Sequence, residues 1–234
     1  MPTICFASSK GGVGKSTAAC ILAAEISRAQ TDVTIVDADP NRPFARWKEK
    51  TGGLLKKKGR GKISVESDIT QDNILDVIDA AARSDPFVIV DLEGTANMLV
   101  NYAVSRADLV LVPLQDSELD ATEAAKAVKL VRQAEKGFDR KIPFSLFFTK
   151  TSAVIRTKSL AAYYEEFGGR GIPCLGVELF DRRAFRTIFD LGGTIYDLTE
   201  DEIPAKTAAA ASENAGAFAK EVIAKIKPKQ RRAA

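Results

Sequence analysis

The sequence KGGVGKST at residues 10–17 is the feature that most restricts how this chain can fold. It follows a β-branched and aromatic stretch at residues 3–8 and precedes a stretch at 15–29 that favours a helix. Glycines let backbone N–H groups point inward and approach an anion closely. The N-terminus of the following helix adds partial positive charge. The pattern therefore predicts a strand, a phosphate-binding loop and a helix in direct succession.

Apolar stretches alternate with stretches of helical periodicity along the rest of the chain. The predicted strands are residues 3–8, 33–39, 63–67, 87–94, 107–114, 142–150 and 172–179. The predicted helices are residues 15–29, 43–50, 72–83, 120–136, 157–167, 182–190 and 206–227. Strands that are apolar throughout and alternate with helices are typical of an α/β fold, with a mostly parallel, twisted sheet covered by helices on both faces. We predict one domain over residues 1–227, followed by a basic tail at 228–234 that we expect to be disordered.

Composition excludes several other classes of protein. Hydrophobic residues make up 45% and charged residues 28% of the chain, as is usual for soluble globular proteins. The sequence has no apolar run long enough for a transmembrane helix and no signal peptide at its start, so we expect a cytoplasmic protein. Three widely spaced cysteines fit a reducing compartment better than a disulfide framework. The absence of histidine excludes histidine bases and histidine-ligated metals.

Within the glycine-rich loop, two side chains have predicted contacts with a nucleotide. Lys15 is expected to reach the β- and γ-phosphates of ATP, and the Ser16 hydroxyl is expected to bind Mg²⁺. A glycine-rich turn without a ligand is the alternative, and the strand–turn–helix context disfavours it. The predicted ATP-binding residues are Lys10, Gly11, Gly12, Val13, Gly14, Lys15, Ser16 and Thr17.

The loop departs from the usual pattern G-x-x-x-x-G-K-[ST] at its first position, which is Ser9. The form K-G-G-x-G-K-[ST] is the deviant Walker A motif, and with it the sequence resembles the ParA/MinD family of P-loop ATPases. That resemblance implies a P-loop NTPase fold and a homodimer in which two subunits enclose two nucleotides face to face. It also implies that Lys10 crosses to the partner's nucleotide and takes part in catalysis with Lys15. A solvated Lys10 on the loop is the alternative.

Acidic residues follow two of the predicted strands. Asp37 and Asp39 lie in the segment VDADP, and Asp91 ends the strand FVIVD as a Walker B aspartate does. The resemblance implies that Asp39 positions or activates the attacking water, while Asp37 and Asp91 support Mg²⁺. Capping of the next helix is the alternative for Asp37 or Asp39. The family often continues with D-x-P-P after the Walker B strand, whereas this chain has Leu92-Glu93-Gly94, and we expect Glu93 to face solvent.

The resemblance covers residues 3 to about 198, including the stretch ADLVLVP at 107–113. The phosphate loop begins close to the first residue of the sequence, so no N-terminal DNA-binding module is expected. In these features, and in Trp47 of the segment RPFARWKE, the sequence resembles the short ParA-type partition ATPases and their VirC1-like relatives. In this family the base is usually contacted by the loops after Thr149 and near Leu179.

Basic residues cluster in three places, which suits salt-sensitive binding to the phosphate backbone of DNA. One cluster is the segment KKKGRGK at 56–62. The predicted DNA-binding residues are Arg182, Arg183, Arg186, Lys220, Lys225 and Lys227. The resemblance therefore implies a nucleoid-associated DNA partition ATPase whose ATP-bound dimer binds non-specific DNA. A ParB-type adaptor or cargo protein would stimulate hydrolysis and release. Solvated basic surfaces are the alternative.

Two other functions of the same chemistry stay open. The first is a positioning ATPase for another cargo, such as a conjugation complex, a chemoreceptor cluster or a microcompartment. The second is a MinD-like ATPase at a membrane surface, because the last predicted helix is amphipathic. Its apolar face is rich in alanine, so docking on the sheet is favoured and a membrane partner is not expected. An iron–sulfur ATPase is disfavoured because Cys5 and Cys20 fall inside a strand and a helix.

Overall fold

A computed structural model describes residues 1–53, 59–94 and 97–226. Its centre is a seven-stranded parallel sheet in the order β3-β2-β4-β1-β5-β6-β7. The strands are β1 (Thr3–Phe6), β2 (Val33–Ala38), β3 (Ile63–Glu66), β4 (Phe87–Leu92), β5 (Leu109–Leu114), β6 (Phe144–Thr151) and β7 (Leu179–Phe180). The α/β fold with a parallel sheet, predicted from the alternating pattern, is confirmed.

Helices cover both faces of this sheet. They are α1 (Lys15–Arg28), α2 (Pro43–Thr51), α3 (Ile74–Ser84), α4 (Met98–Arg106), α5 (Glu118–Gly137), α6 (Lys158–Gly169), α7 (Arg183–Leu191) and α8 (Ala205–Ile226). One core contains side chains from α1, α2, α7 and α8, and the other contains side chains from α3 to α6. In β1 the side chains of Ile4 and Phe6 join the first core and Cys5 joins the second. This alternation is what a strand buried on both faces requires.

The last helix is anchored in the first core. Phe218 of α8 is fully buried, and its ring centroid lies 5.2 Å from that of Phe147 on β6. Ala215 and Val222 on the same helix are also buried. The apolar face that could have suggested membrane insertion is therefore covered by the protein itself. None of the helices in the described ranges has the length and hydropathy required to cross a bilayer.

Two elements differ from the sequence-based prediction. The sequence pattern assigned no helix to Met98–Arg106, which begins after Asn97, whose side chain accepts a hydrogen bond from the N–H of Val100. The predicted strand at 172–179 forms only a bridge at Cys174 and the short β7. It is interrupted because the N–H groups of residues 176 and 177 donate to the Glu221 carboxylate on α8. The lysines at 56–58, Lys227 and the predicted tail lie outside the described residues.

Candidate nucleotide-binding site

The predicted phosphate loop lies at the carboxyl edge of the sheet, between β1 and α1. Gly12 and Gly14 have φ of +75° and +94°, in the left-handed region that glycine adopts at little cost. Gly14 is also the residue that precedes α1, so the loop passes directly into the helix N-terminus. Thr149, at the end of β6, donates a hydrogen bond of 2.7 Å to the Val13 carbonyl. The loop is thereby fixed in a curve beside the end of β6.

Lys15 is buried under this loop. Its ammonium nitrogen lies 3.0 Å from the Ser8 hydroxyl and 3.4 Å from the Lys10 carbonyl oxygen. Burial lowers the pKa of Lys15, and the nearby carboxylates of Asp91, Asp39 and Glu93 oppose this shift. A buried cation whose contacts are uncharged oxygens is well placed to bind an anion that enters the loop.

Ser16 and Asp91 contact each other near Lys15. The Ser16 hydroxyl donates to Asp91 Oδ2 at 2.5 Å, and Asp91 has no exposed surface. Burial raises the pKa of Asp91 to about 7, against the opposing effects of the Ser16 hydrogen bond and the Lys15 charge. Burial also raises the pKa of Asp37, to about 6. Asp37 and Asp91 are register partners on β2 and β4, so two carboxylates share this end of the sheet.

These groups have the chemistry of a Mg²⁺ site in a nucleotide complex. Within the described ranges, Asp37 Oδ1 and Asp91 Oδ1 are buried without a hydrogen-bond partner. A hard cation prefers such oxygen ligands, and Mg²⁺ usually takes only one or two carboxylates and completes its shell with phosphates and waters. No group of three or more acidic, histidine or cysteine side chains in the described ranges could hold a metal alone. The residues present therefore fit Mg²⁺ that arrives with a nucleotide.

The two acids of the VDADP segment have different surroundings. Asp37 Oδ2 accepts hydrogen bonds from the N–H groups of Phe44 and Ala45, at the start of α2. Helix capping, the alternative considered for Asp37, thus accounts for one of its oxygens. Asp39 is partly exposed, and its Oδ1 accepts hydrogen bonds from the backbone and side chain of Asn41. Asp39 is close enough to Lys15 to affect its pKa, as is the half-buried Glu93.

Lys10 does not extend freely into solvent. Its ammonium nitrogen lies 2.6 Å from Asp120 Oδ1 in the first turn of α5. Sequence reasoning missed Asp120, because no spacing in the sequence relates α5 to the loop. It also missed Gly94, where an added Cβ atom would lie 2.7 Å from the Lys10 carbonyl carbon. The only available signal at that position was the glycine itself, three residues after Asp91.

A second, small pocket adjoins the phosphate loop. It is lined by Gly14, Thr17, Ile21, Thr149, Lys150, Leu179, Phe180, Asp181, Arg182, Phe185 and Arg186. The Arg182 guanidinium lies 5.3 Å from the centroid of the Phe180 ring. Arg186 forms an ion pair with Asp181 at 2.8 Å. Two predicted DNA-binding residues are thus part of the wall of this pocket.

Three further predicted DNA-binding residues are exposed outside this pocket. Arg183 projects from the start of α7, and Lys220 and Lys225 lie on α8. Asn214, in the middle of α8, accepts a hydrogen bond from the Phe180 N–H, and both lysines lie further toward the C-terminus of this helix. At 1.5 Å per residue, Lys220 and Lys225 lie roughly 9 and 16 Å along the helix from Asn214. These exposed basic residues therefore come from two helices, α7 and α8.

Comparison with known proteins agrees with this fold. The chain is 35% identical to protein ParA of Rhizobium radiobacter over 226 residues, which cover 97% of this chain and 98% of that protein. A solved structure of a Borrelia burgdorferi B31 protein bound to AMPPNP superposes with a TM-score of 0.68 and 16% identity, covering 96% of this chain and 99% of that one. The structure of pNOB8 ParA bound to nonspecific DNA gives a TM-score of 0.61 and 16% identity, covering 98% and 99%.

The two structural likenesses concern the fold, which is that of the ParA/MinD P-loop ATPases. The assignment of the family depends on the sequence. The family model described as VirC1 protein matches residues 1–226, which include every described element from β1 to α8. Together with the identity to ParA over nearly the whole chain, this match shows that the chain belongs to the VirC1 family of ParA-like proteins.

Proposed function

We propose that this protein is a Mg²⁺-dependent ATPase that acts in DNA partition. The observation that carries the proposal is the convergence of Lys15, Ser16, Asp37 and Asp91 at the carboxyl edge of the sheet, with a buried oxygen of each aspartate lacking a partner in the described ranges. The identity to ParA supports the partition role. A neighbour of the same fold binds AMPPNP, an ATP analogue, which supports ATP as the ligand.

Each residue of the site has a role in this proposal. The N–H groups of the loop and the Lys15 ammonium bind the phosphates, which replace the Ser8 and Lys10 oxygens around that ammonium. Ser16 and Asp91 would hold Mg²⁺, with Asp37 supporting its shell, and the bound ion would supply positive charge beside the phosphates. Asp39 positions the attacking water, since phosphoryl transfer depends on positioning and electrostatic stabilisation more than on covalent chemistry.

The proposed active form is a homodimer joined through the nucleotide edge. Four large apolar side chains follow β4, β5 and β6 at this edge and are exposed. They are Met98, Leu119, Val154 and Ile155, with exposed fractions of 48%, 61%, 92% and 67%. Apolar side chains that surround a polar site suit contact with a second protein surface. In the dimer Lys10 would act on the partner's nucleotide.

DNA and an adaptor are the proposed partners. Arg183, Lys220 and Lys225 are exposed basic residues that could contact phosphates without reading sequence. A ParA of the same fold has been solved with nonspecific DNA, which supports this type of binding and a place at the nucleoid. A ParB-type adaptor or cargo protein would stimulate hydrolysis by the DNA-bound dimer and so release it.

The proposal is tested with Lys15→Ala and the control Lys129→Ala, which changes an exposed lysine of α5. Steady-state hydrolysis of ATP is measured with Mg²⁺ and with non-specific DNA. Losing a cation that faces the transferred phosphoryl group should lower kcat/KM by about 10²-fold or more. The control should keep the wild-type rate and ATP-dependent retention on DNA. Hydrolysis by Lys15→Ala at the wild-type rate would refute the proposed site.

A further inference from the structure

The ion pair between Lys10 and Asp120 is the contact at the nucleotide edge that the proposed mechanism does not use. The two charged atoms are 2.6 Å apart, and the exposed fractions of the side chains are 39% for Lys10 and 2% for Asp120. Lys10 is the residue proposed to act across the dimer, so the inference about Asp120 depends on that proposed function. In the single subunit this lysine contacts an acid of its own chain.

The backbone of Lys10 is fixed on several sides. Its carbonyl oxygen accepts a hydrogen bond of 2.6 Å from the Ser8 hydroxyl. The neighbouring Ser9 hydroxyl lies 2.7 Å from both the backbone oxygen and a carboxylate oxygen of Glu123 on α5. Gly94 packs so closely on the Lys10 carbonyl carbon that a Cβ atom would fall 2.7 Å from it. Lys10 would therefore change its partner by rotating its side chain, without a movement of its backbone.

Asp120 is bound more firmly than its partner. It lies in the first turn of α5, which begins after Ser117, whose hydroxyl oxygen accepts a hydrogen bond from the Asp120 N–H. Its Oδ2 accepts a hydrogen bond of 3.1 Å from the Gln115 N–H, and its Oδ1 contacts Lys10. Departure of Lys10 would leave Oδ1 of a buried carboxylate without its cation, which costs free energy. The geometry therefore opposes the release of Lys10.

We infer that Asp120 is a positioning residue that holds Lys10 within its own subunit and sets how much ATP is needed for dimer formation. For the dimer to form, the contacts that Lys10 makes in it must offset the free energy lost when its ion pair with Asp120 breaks. Leu119, which precedes Asp120 and is 61% exposed, is one of the four exposed apolar side chains of the proposed dimer surface. Dimer contact at Leu119 and release of Lys10 from Asp120 would therefore both take place at the first turn of α5.

The test compares Asp120→Asn with Glu118→Gln. Asparagine has the shape of aspartate and can still accept from the Gln115 N–H, but it lacks the charge that attracts Lys10. Glu118 is the other acid in the first turn of α5 and is exposed, so its variant controls for the helix dipole. Dimer formation is followed by sedimentation velocity during titration with AMPPNP. For Asp120→Asn, we expect half of the protein to be dimeric at an AMPPNP concentration about 5- to 10-fold lower than for the wild type. Glu118→Gln should need the same concentration as the wild type.

A second measurement separates this role from general stability. Lys10 is proposed to serve the partner's nucleotide, so the affinity of monomeric Asp120→Asn for ADP should stay within about twofold of the wild type. A variant that is merely destabilised would lose ADP affinity and dimerisation together. If Asp120→Asn does not fold, Asp120→Ser is used, because its hydroxyl is also a small acceptor. An unchanged or higher AMPPNP requirement in a folded variant would overturn the inference.

Lys10→Ala distinguishes this inference from the proposed function on which it rests. If Lys10→Ala forms no dimer with AMPPNP while Asp120→Asn has the wild-type requirement, the proposed role of Lys10 stands and only the role of Asp120 is wrong. If Lys10→Ala dimerises like the wild type, the cross-subunit role of Lys10 fails, and the inference about Asp120 fails with it.

Discussion

The nucleotide edge and the basic surface of this protein are built in different ways. At the nucleotide edge, Lys15 and Asp91 are both buried, and Ser16 donates a hydrogen bond to Asp91 although 75 residues separate these two. On the basic surface, by contrast, two residues adjacent in the sequence have different surroundings. Arg182 lines the second pocket, whereas Arg183, one residue later, is exposed on α7.

The difference shows what a local motif encodes. The phosphate loop depends on backbone geometry within eight residues, and parallel strands bring their carboxyl ends to the same edge. A DNA-binding surface depends on which side chains remain exposed after tertiary packing, and basic composition alone does not determine that. A phosphate loop is therefore easier to predict from sequence than a DNA-binding surface.

Gly94 provides the strongest test of how tightly the nucleotide edge is built. A Cβ atom there would lie 2.7 Å from the Lys10 carbonyl carbon and 2.8 Å from the Gly11 nitrogen. Both are backbone atoms, so Gly94→Ala must push the phosphate loop away from the end of β4. We expect an about 10-fold or greater loss of ATP affinity and a destabilisation of about 1–3 kcal/mol, measured by isothermal titration and urea unfolding.

The matched control for Gly94→Ala is Gly168→Ala in α6, where an added Cβ atom meets no atom within 4 Å. That variant should bind ATP normally and be slightly more stable, because alanine favours the helical backbone. Normal ATP affinity in Gly94→Ala would show that the loop tolerates displacement and that the edge is less tightly packed than we infer.

Replacing Asp91 should give a smaller effect, a change in Tm that measures how much free energy it costs to bury this carboxylate. Its pKa in the folded protein is raised to about 7 by burial, from an ordinary value of 3.8. The folded state therefore binds this proton more tightly than the unfolded state, and its stability falls as the pH rises from about 4 to 7. Asp91→Asn resembles the protonated form. Without nucleotide and metal, it should raise Tm by on the order of 5 °C at pH 8 and by less than half of that at pH 5.

Thermal unfolding in EDTA at the two pH values measures this difference. The control is Glu165→Gln, which changes an exposed acid of α6 and should change Tm by the same small amount at both pH values. An equal gain for Asp91→Asn at pH 5 and pH 8 would contradict the raised pKa. The same variant should lose Mg²⁺-dependent hydrolysis, so a gain in stability would accompany a loss of activity.

Most of the fold and the centre of the site could be predicted from sequence, for identifiable reasons. Alternation of apolar strands and helices indicated the parallel sheet, and KGGVGKST indicated the strand, loop and helix around Lys15. The contacts of Asp120 and Gly94 could not be predicted, because they depend on how α5 and the end of β4 pack on the loop. The interruption of the predicted strand at 172–179 likewise depends on Glu221, more than 40 residues away along the chain.

Arg182 and Arg183 give the smallest expected effects and the sharpest separation of the two regions. Arg183→Ala should weaken binding of non-specific DNA by about 2- to 3-fold and reduce the slope of log affinity against log salt by about 1, with ATP affinity unchanged. Arg182→Ala should instead weaken ATP binding and leave DNA affinity unchanged, because Arg182 packs over Phe180 in the second pocket. Fluorescence anisotropy with labelled DNA at several salt concentrations, and ATP titrations, measure both. If both variants weakened DNA binding equally and left ATP affinity unchanged, Arg182 would belong to the basic surface, and the boundary between the two regions would have to be moved.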